Sequence, residues 1–94
     1  MSSGDEKSRP RLARGVRLGQ DRISGEPVLL FPEGFLPLDE ITHDILVRCS
    51  GQQTVEMIID ALAAEYEADY DTVRADVCEC LNQLRQQMLV AFWK

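Results

Sequence analysis

The sequence predicts an α+β fold, winged-helix-like, with a three-stranded antiparallel sheet followed by three α-helices. Two observations carry that expectation. Up to residue 38, short runs rich in Val, Leu and Ile alternate with Gly and charged breaks, as small antiparallel strands do. From Asp39 onward the apolar residues recur every three to four positions, as on amphipathic helices. Strands first and helices after argue for a single α+β core rather than alternating βαβ units. The 94 residues are enough for one such domain and too few for a second.

Residues 1–11 mix Ser, Gly, Pro and charge without apolar periodicity, so a flexible N-terminal arm is expected there and one folded domain over 12–94. "GVRLGQDRISGEPVLLF" is broken by Gly19, by Asp21-Arg22 and by Gly25, which places strands near 15–19 and 27–31. Pro32-Glu33-Gly34 reads as a three-residue connection, with Pro fixing φ and Gly free to take a positive φ, and leads to a third strand near 35–38. Asp39 is placed as an N-cap and Gly51 as a stop, giving a helix over 40–49 with Ile41, Ile45, Leu46 and Cys49 on one face. A second helix opens after Thr54, with Val55, Ile58, Ile59, Leu62 and Tyr66 aligned. A third opens near Asp71 and carries Val73, Val77, Cys80, Leu81, Leu84 and Met88. The closing "LVAFWK" reads as a tail packed on the body, with a pairing strand as the alternative.

Composition removes several function classes. The chain is 45% hydrophobic and 28% charged, and none of its apolar stretches approaches the ~20 residues of a membrane span. "MSSGDEKSRP" lacks the apolar core of a signal peptide, so a cytoplasmic address is expected. Cys49, Cys78 and Cys80 contain no CxxC spacing. On a helix Cys78 and Cys80 point about 200° apart, so they do not chelate one ion, and no metal or cofactor is expected. The one histidine, His43, is placed toward the exposed side of its helix, and no phosphate loop, HExxH or GxSxG pattern is present, which argues against an enzyme.

Charge is segregated. Residues 1–22 carry six basic and three acidic side chains, whereas the other 72 carry four basic and thirteen acidic. A winged-helix fold raises DNA binding as an alternative, but its recognition helix would be the third. That helix sets Asp71, Asp76 and Glu79 against Arg74 and Arg85, an unfavourable balance for phosphate contact, so no nucleic acid is expected. Peptide or protein binding remains. In "FLPL", Pro37 has no N–H to give a ladder, which makes 35–38 an edge strand with Leu36 and Leu38 bonding inward and the backbone of Phe35 and Pro37 facing out. Such an edge is either protected or used to add a strand. Dimerisation, by strand exchange between identical chains, is the alternative use of the same edge.

Several stretches together resemble one family. Arg14-Gly15-Val16-Arg17, Val28-Leu29-Leu30, Pro32-Glu33-Gly34, Ile45-Leu46, Gly51 with Thr54-Val55, and Asp76-Val77 followed by Leu81 and Leu84 are similar, in order and spacing, to the pyrroloquinoline quinone (PQQ) biosynthesis protein D family. The resemblance runs from roughly residue 10 to 90. It implies a non-catalytic peptide chaperone that binds the ribosomally made precursor peptide of the cofactor. It further implies presentation to a radical S-adenosylmethionine enzyme that joins a glutamate and a tyrosine of the precursor. In such recognition elements the peptide adds to the third strand beside the third helix. Carried onto this chain, that implies contacts at Phe35, Leu36, Pro37 and Leu38, and on the helix at Arg74, Val77, Cys78, Leu81 and Arg85. Two departures stand out. Leu38-Asp39-Glu40-Ile41-Thr42 replaces the family's Leu-Asn-x-Thr-Ala, and Met88 occupies a frequent Gly position, which lets the third helix run on.

Overall fold

The structure, a computed structural model, describes residues 7–93. The strands are β1 (Arg9–Leu12), β2 (Arg17–Gln20), β3 (Pro27–Phe31), β4 (Gly34–Pro37) and, at the far end, β5 (Val90–Trp93). Between β4 and β5 lie helices α1 (Glu40–Leu46), α2 (Val55–Glu65) and α3 (Tyr70–Gln86). The expected antiparallel three-stranded sheet is present in the order β2-β3-β4, followed by three helices. A second, two-stranded sheet joins β1 to β5.

That second sheet corrects the expected arm. Residues 1–6 lie outside the described residues, but residues 9–11 are strand, paired from Arg9 opposite Trp93 to Leu12 opposite Val90. "RPRL" shows no apolar periodicity because backbone bonds hold it. The Ser8 carbonyl accepts from Val55 N–H, the Pro10 carbonyl accepts from Gly51 N–H, and Arg11 bridges to Ser50. Ser8 and Pro10 are buried in consequence. "LVAFW" is accordingly the pairing strand, not merely a packed tail.

Element ends moved for local reasons. β2 starts at Arg17, not 15, because Val16 N–H closes a turn on Ala13 and Gly15 takes φ 82°. Gly19 does not break the strand but lies inside it, opposite Val28, where a Cβ would fall 2.6 Å from Leu30 Cδ1. Only Pro32 and Glu33 form the β3–β4 turn, since Gly34 already pairs with Phe31. α1 ends at Leu46 rather than 49, because Arg48 and Cys49 donate to Ile45 and Leu46 in tighter three-residue bonds.

The caps follow the chemistry of the sequence. Asp39 accepts from Thr42 N–H at 2.8 Å, Thr54 from Met57 N–H at 3.1 Å, and Asp69 from Asp71 and Thr72 N–H. α3 stops before Met88, which takes φ 64° while Met88 N–H bonds Arg85 and Leu89 N–H bonds Leu84. This is the Schellman arrangement, formed with Met in the position Gly usually fills. Leu29, Ile45, Leu46, Ile58, Ile59, Leu62, Val77 and Leu81 are almost wholly buried and tie sheet to helices in one core. At about 1.5–3 kcal/mol for each such side chain, their burial dominates the stability of a chain this size.

Candidate functional site

β4 is an edge strand, as Pro37 predicts: it ends the order β2-β3-β4. Leu38 N–H donates to the Pro27 carbonyl at 3.0 Å, and Leu36 stands opposite Leu29. Alternation along an antiparallel ladder therefore turns Leu36 toward β3 and leaves Phe35 N–H, Phe35 C=O and Pro37 C=O pointing away from it. The side chains split in the same way. Leu38 is buried and Leu36 half-buried against the core, whereas Pro37 is exposed and Phe35 is 57% exposed. An extended chain laid along this edge would meet three backbone groups and one aromatic ring.

The helix residues expected beside this strand are less uniform. Val77 and Leu81 are 0% and 1% exposed and belong to the core. Arg85 sits over the Phe92 ring, 5.6 Å from its centroid, on the side of α3 that meets β5. Arg74, exposed, and Cys78, half-buried, share that flank by helical spacing and are engaged in interactions of their own.

The opposite flank of α3 approaches the end of β4. A cleft of about 400 Å³ opens between α1 and α3, lined by Ile41, Thr42, Ile45, Asp76, Glu79, Cys80 and Gln83. Burial, chiefly, pushes the Cys80 thiol above its ordinary range; a Thr42 hydrogen bond opposes this, and the charges of Asp39 and Glu79 add to it. Those neighbours fix Cys80 beside Asp39, two residues past the end of β4. Sequence reasoning missed this set because it weighed Asp76 and Glu79 only as charges set against nucleic-acid contact and did not single out Gln83. The cue was Ile41, the apolar residue placed where the family pattern is polar.

The remaining titratable groups carry no catalytic arrangement among the described residues. Cys49 is buried and its Sγ donates to the Ile45 carbonyl at 3.4 Å; burial, with a smaller effect from Cys80, pushes its pKa up to about 12, so the thiol stays protonated. His43 is half-buried rather than turned to solvent. Tyr66 donates to Asp44, and Arg48 pairs with Glu65 at 3.2 Å, which pins α1 to α2 away from the strand edge. No cluster of His, Cys, Asp and Glu suited to a metal occurs among the described residues, and no helix in them is long and apolar enough to cross a membrane.

The chain is similar to several known proteins. The family model described as coenzyme PQQ synthesis protein D (PqqD) matches residues 26–90. A protein of Xanthomonas axonopodis pv. citri named "PqqA binding protein" is 41% identical over 90 residues, covering 96% of this chain and 98% of its own. One of the same name from Xanthomonas campestris pv. campestris strain B100 is 38% identical over the same length. The solution structure of the PqqD truncation of Methylobacterium extorquens PqqCD superposes with a TM-score of 0.75 at 36% identity, covering 87% of each chain. That protein is described as a functional, stand-alone recognition element for ribosomally synthesized and post-translationally modified peptides. The crystal structure of PqqD from Xanthomonas campestris gives a TM-score of 0.58 at 40% identity, covering 83% of this chain and 87% of that one.

Proposed function

The chain belongs to the coenzyme PQQ synthesis protein D (PqqD) family, and from that premise we propose that it is a peptide chaperone that binds a PqqA-type precursor by strand addition to β4. The observation that carries the reading is the open edge of β4, whose Phe35 N–H and Phe35 and Pro37 carbonyls face away from β3. Relatives named for PqqA binding supply the ligand, and the edge supplies a means of holding it. Phe35 to Leu38 form the rail. Of the α3 residues, Val77 and Leu81 act through the core behind it, while Arg74, Cys78 and Arg85 lie on the flank toward β5.

In this reading the protein catalyses nothing. It works in the cytoplasm and hands the extended precursor to a radical S-adenosylmethionine enzyme, which links a glutamate to a tyrosine through a carbon–carbon bond. The peptide-binding domain begins with β1, whose pairing with β5 ties Arg9–Leu12 to the body. A strand held in extended form loses its conformational freedom before it meets the enzyme, which lowers the entropic cost of the later step. The test is a cross-linking assay with the reconstituted radical enzyme and precursor. Adding this chain should raise the yield of cross-linked peptide, and the Phe35→Pro variant should raise it much less. Equal yields with and without the chain would show that presentation is not its role.

A further inference from the structure

Two clefts of opposite charge lie near β4, a basic one that meets the β3–β4 turn through Gly15 and an acidic one at the end of the strand. At the turn end, a cleft of about 750 Å³ is lined by Arg11, Arg14, Gly15 and Ser50 among others. A Cβ on Gly15 would stand 3.6 Å from Pro32 Cγ, so this cleft abuts the β3–β4 turn. Exposed Arg17, on β2 opposite Leu30, adds a cation at the same end of the sheet, where the turn itself carries Glu33. At the other end lies the cleft between α1 and α3. Buried Ile45 and half-buried Ile41 give it apolar depth, and exposed Asp76 and Glu79 give it charge. Asp39 and Glu40 stand at the same point, where β4 passes into α1.

Backbone pairing does not choose a direction, since an added strand bonds an edge in parallel or antiparallel fashion. The two clefts do distinguish the directions. The four residues of β4, at ~3.3 Å each, separate them by ~13 Å, more than the ~8 Å screening length at physiological salt, so each end acts on its own local charge. We infer that charge sets the direction and register of the peptide held on β4. A basic side chain enters the α1–α3 cleft with its stem on Ile41 and its cation toward Asp76 and Glu79, and an acidic side chain lies at the arginine cleft. A long basic residue suits the first cleft because its methylenes cover apolar surface while its head stays with the carboxylates. Complementary charge at an interface fixes register and excludes wrong partners more than it adds affinity. This inference rests on the strand-addition reading and specifies the ligand within it.

The test titrates synthetic precursor peptide, and two charge-edited copies of it, into wild-type protein, Asp76→Lys/Glu79→Lys and Arg14→Glu, following affinity and backbone amide shifts. One copy has its basic residues changed to glutamate and the other its acidic residues changed to lysine. On wild-type protein each copy should bind roughly three- to tenfold more weakly, the scale of exposed ion pairs made repulsive. The first loss should be recovered only on Asp76→Lys/Glu79→Lys and the second only on Arg14→Glu. Recovery at one end alone, or in the opposite pairing, overturns the assignment. Unchanged ratios on all three proteins, with β4 amides still shifting, overturn the charge inference and leave strand addition standing. If no peptide shifts the β4 amides, strand addition falls and the inference with it.

Discussion

The two edges of the three-stranded sheet offer an added strand similar backbone groups in very different surroundings. Asp21 N–H bonds the Glu26 carbonyl, so alternation along β2 turns the N–H and C=O of Leu18 and Gln20 outward. β4 turns out one N–H fewer, because Pro37 has none. By hydrogen-bond count alone β2 is the better rail. β4 differs in its neighbours: a largely exposed Phe35 and, at its end, an apolar cleft rimmed by carboxylates, whereas the basic cleft, lined by Arg14, Gly15 and Val16 just ahead of β2, stands at the turn end of both strands. An open edge is therefore a necessary feature of such a site and not a sufficient one; the side chains around it decide which edge is used.

The comparison can be broken most severely at the strand the two edges share. Leu29 is fully buried and stands opposite both Leu18 and Leu36. Leu29→Ala should cost about 2–5 kcal/mol in denaturant unfolding and speed amide exchange on β2 and β4 alike. Loss of protection on one edge alone would mean that the strands do not share this anchor. Next in size is the contrast between Phe35→Pro and Leu18→Pro, each of which deletes one outward N–H. The first should weaken peptide binding by at least ~1 kcal/mol, the second by nothing measurable in calorimetry.

Smaller effects probe how the end of β4 is held. Asp39 caps α1 directly after the strand, so Asp39→Ala should lower stability by about 1 kcal/mol. The Thr42 hydrogen bonds also hold the Asp39 carboxyl below its ordinary value of 3.8. Because the folded-state value is depressed, this contribution is full at pH above 3.8 and is lost as the pH falls through the lower folded value. Acid unfolding of Asp39→Asn should keep most of the cap and lose that part of the pH dependence. Smallest is Met88→Gly. Relief of the left-handed conformation, offset by the freedom Gly gains when unfolded, should raise stability by about 0.5–1 kcal/mol, with peptide affinity on β4 unchanged.

Much of this was legible in the sequence, for identifiable reasons. Asp39 and Thr54 announce helix starts through their side-chain chemistry, and Pro37 announces an edge through the N–H it lacks. β1 was hidden because Arg9 to Leu12 is held by carbonyls and amides, which leave no trace in side-chain pattern. The stop of α3 at Met88 was hidden because a Schellman turn normally advertises itself with Gly. The helix face was hidden for a different reason. Spacing groups Arg74, Cys78 and Arg85, but it does not say which flank meets the strand; Arg85 went to Phe92, and Asp76, Glu79 and Cys80 went to the cleft beside Asp39.

Strand addition to β4 requires that the precursor prefer β4 over β2 and over the helices. Titration of the precursor peptide into isotope-labelled protein, following backbone amide shifts, tests it directly. The largest changes are expected at residues 34–38, with smaller ones at Thr42, Asp76 and Glu79. Largest changes on β2, or on α2 from Val55 to Glu65, would contradict it.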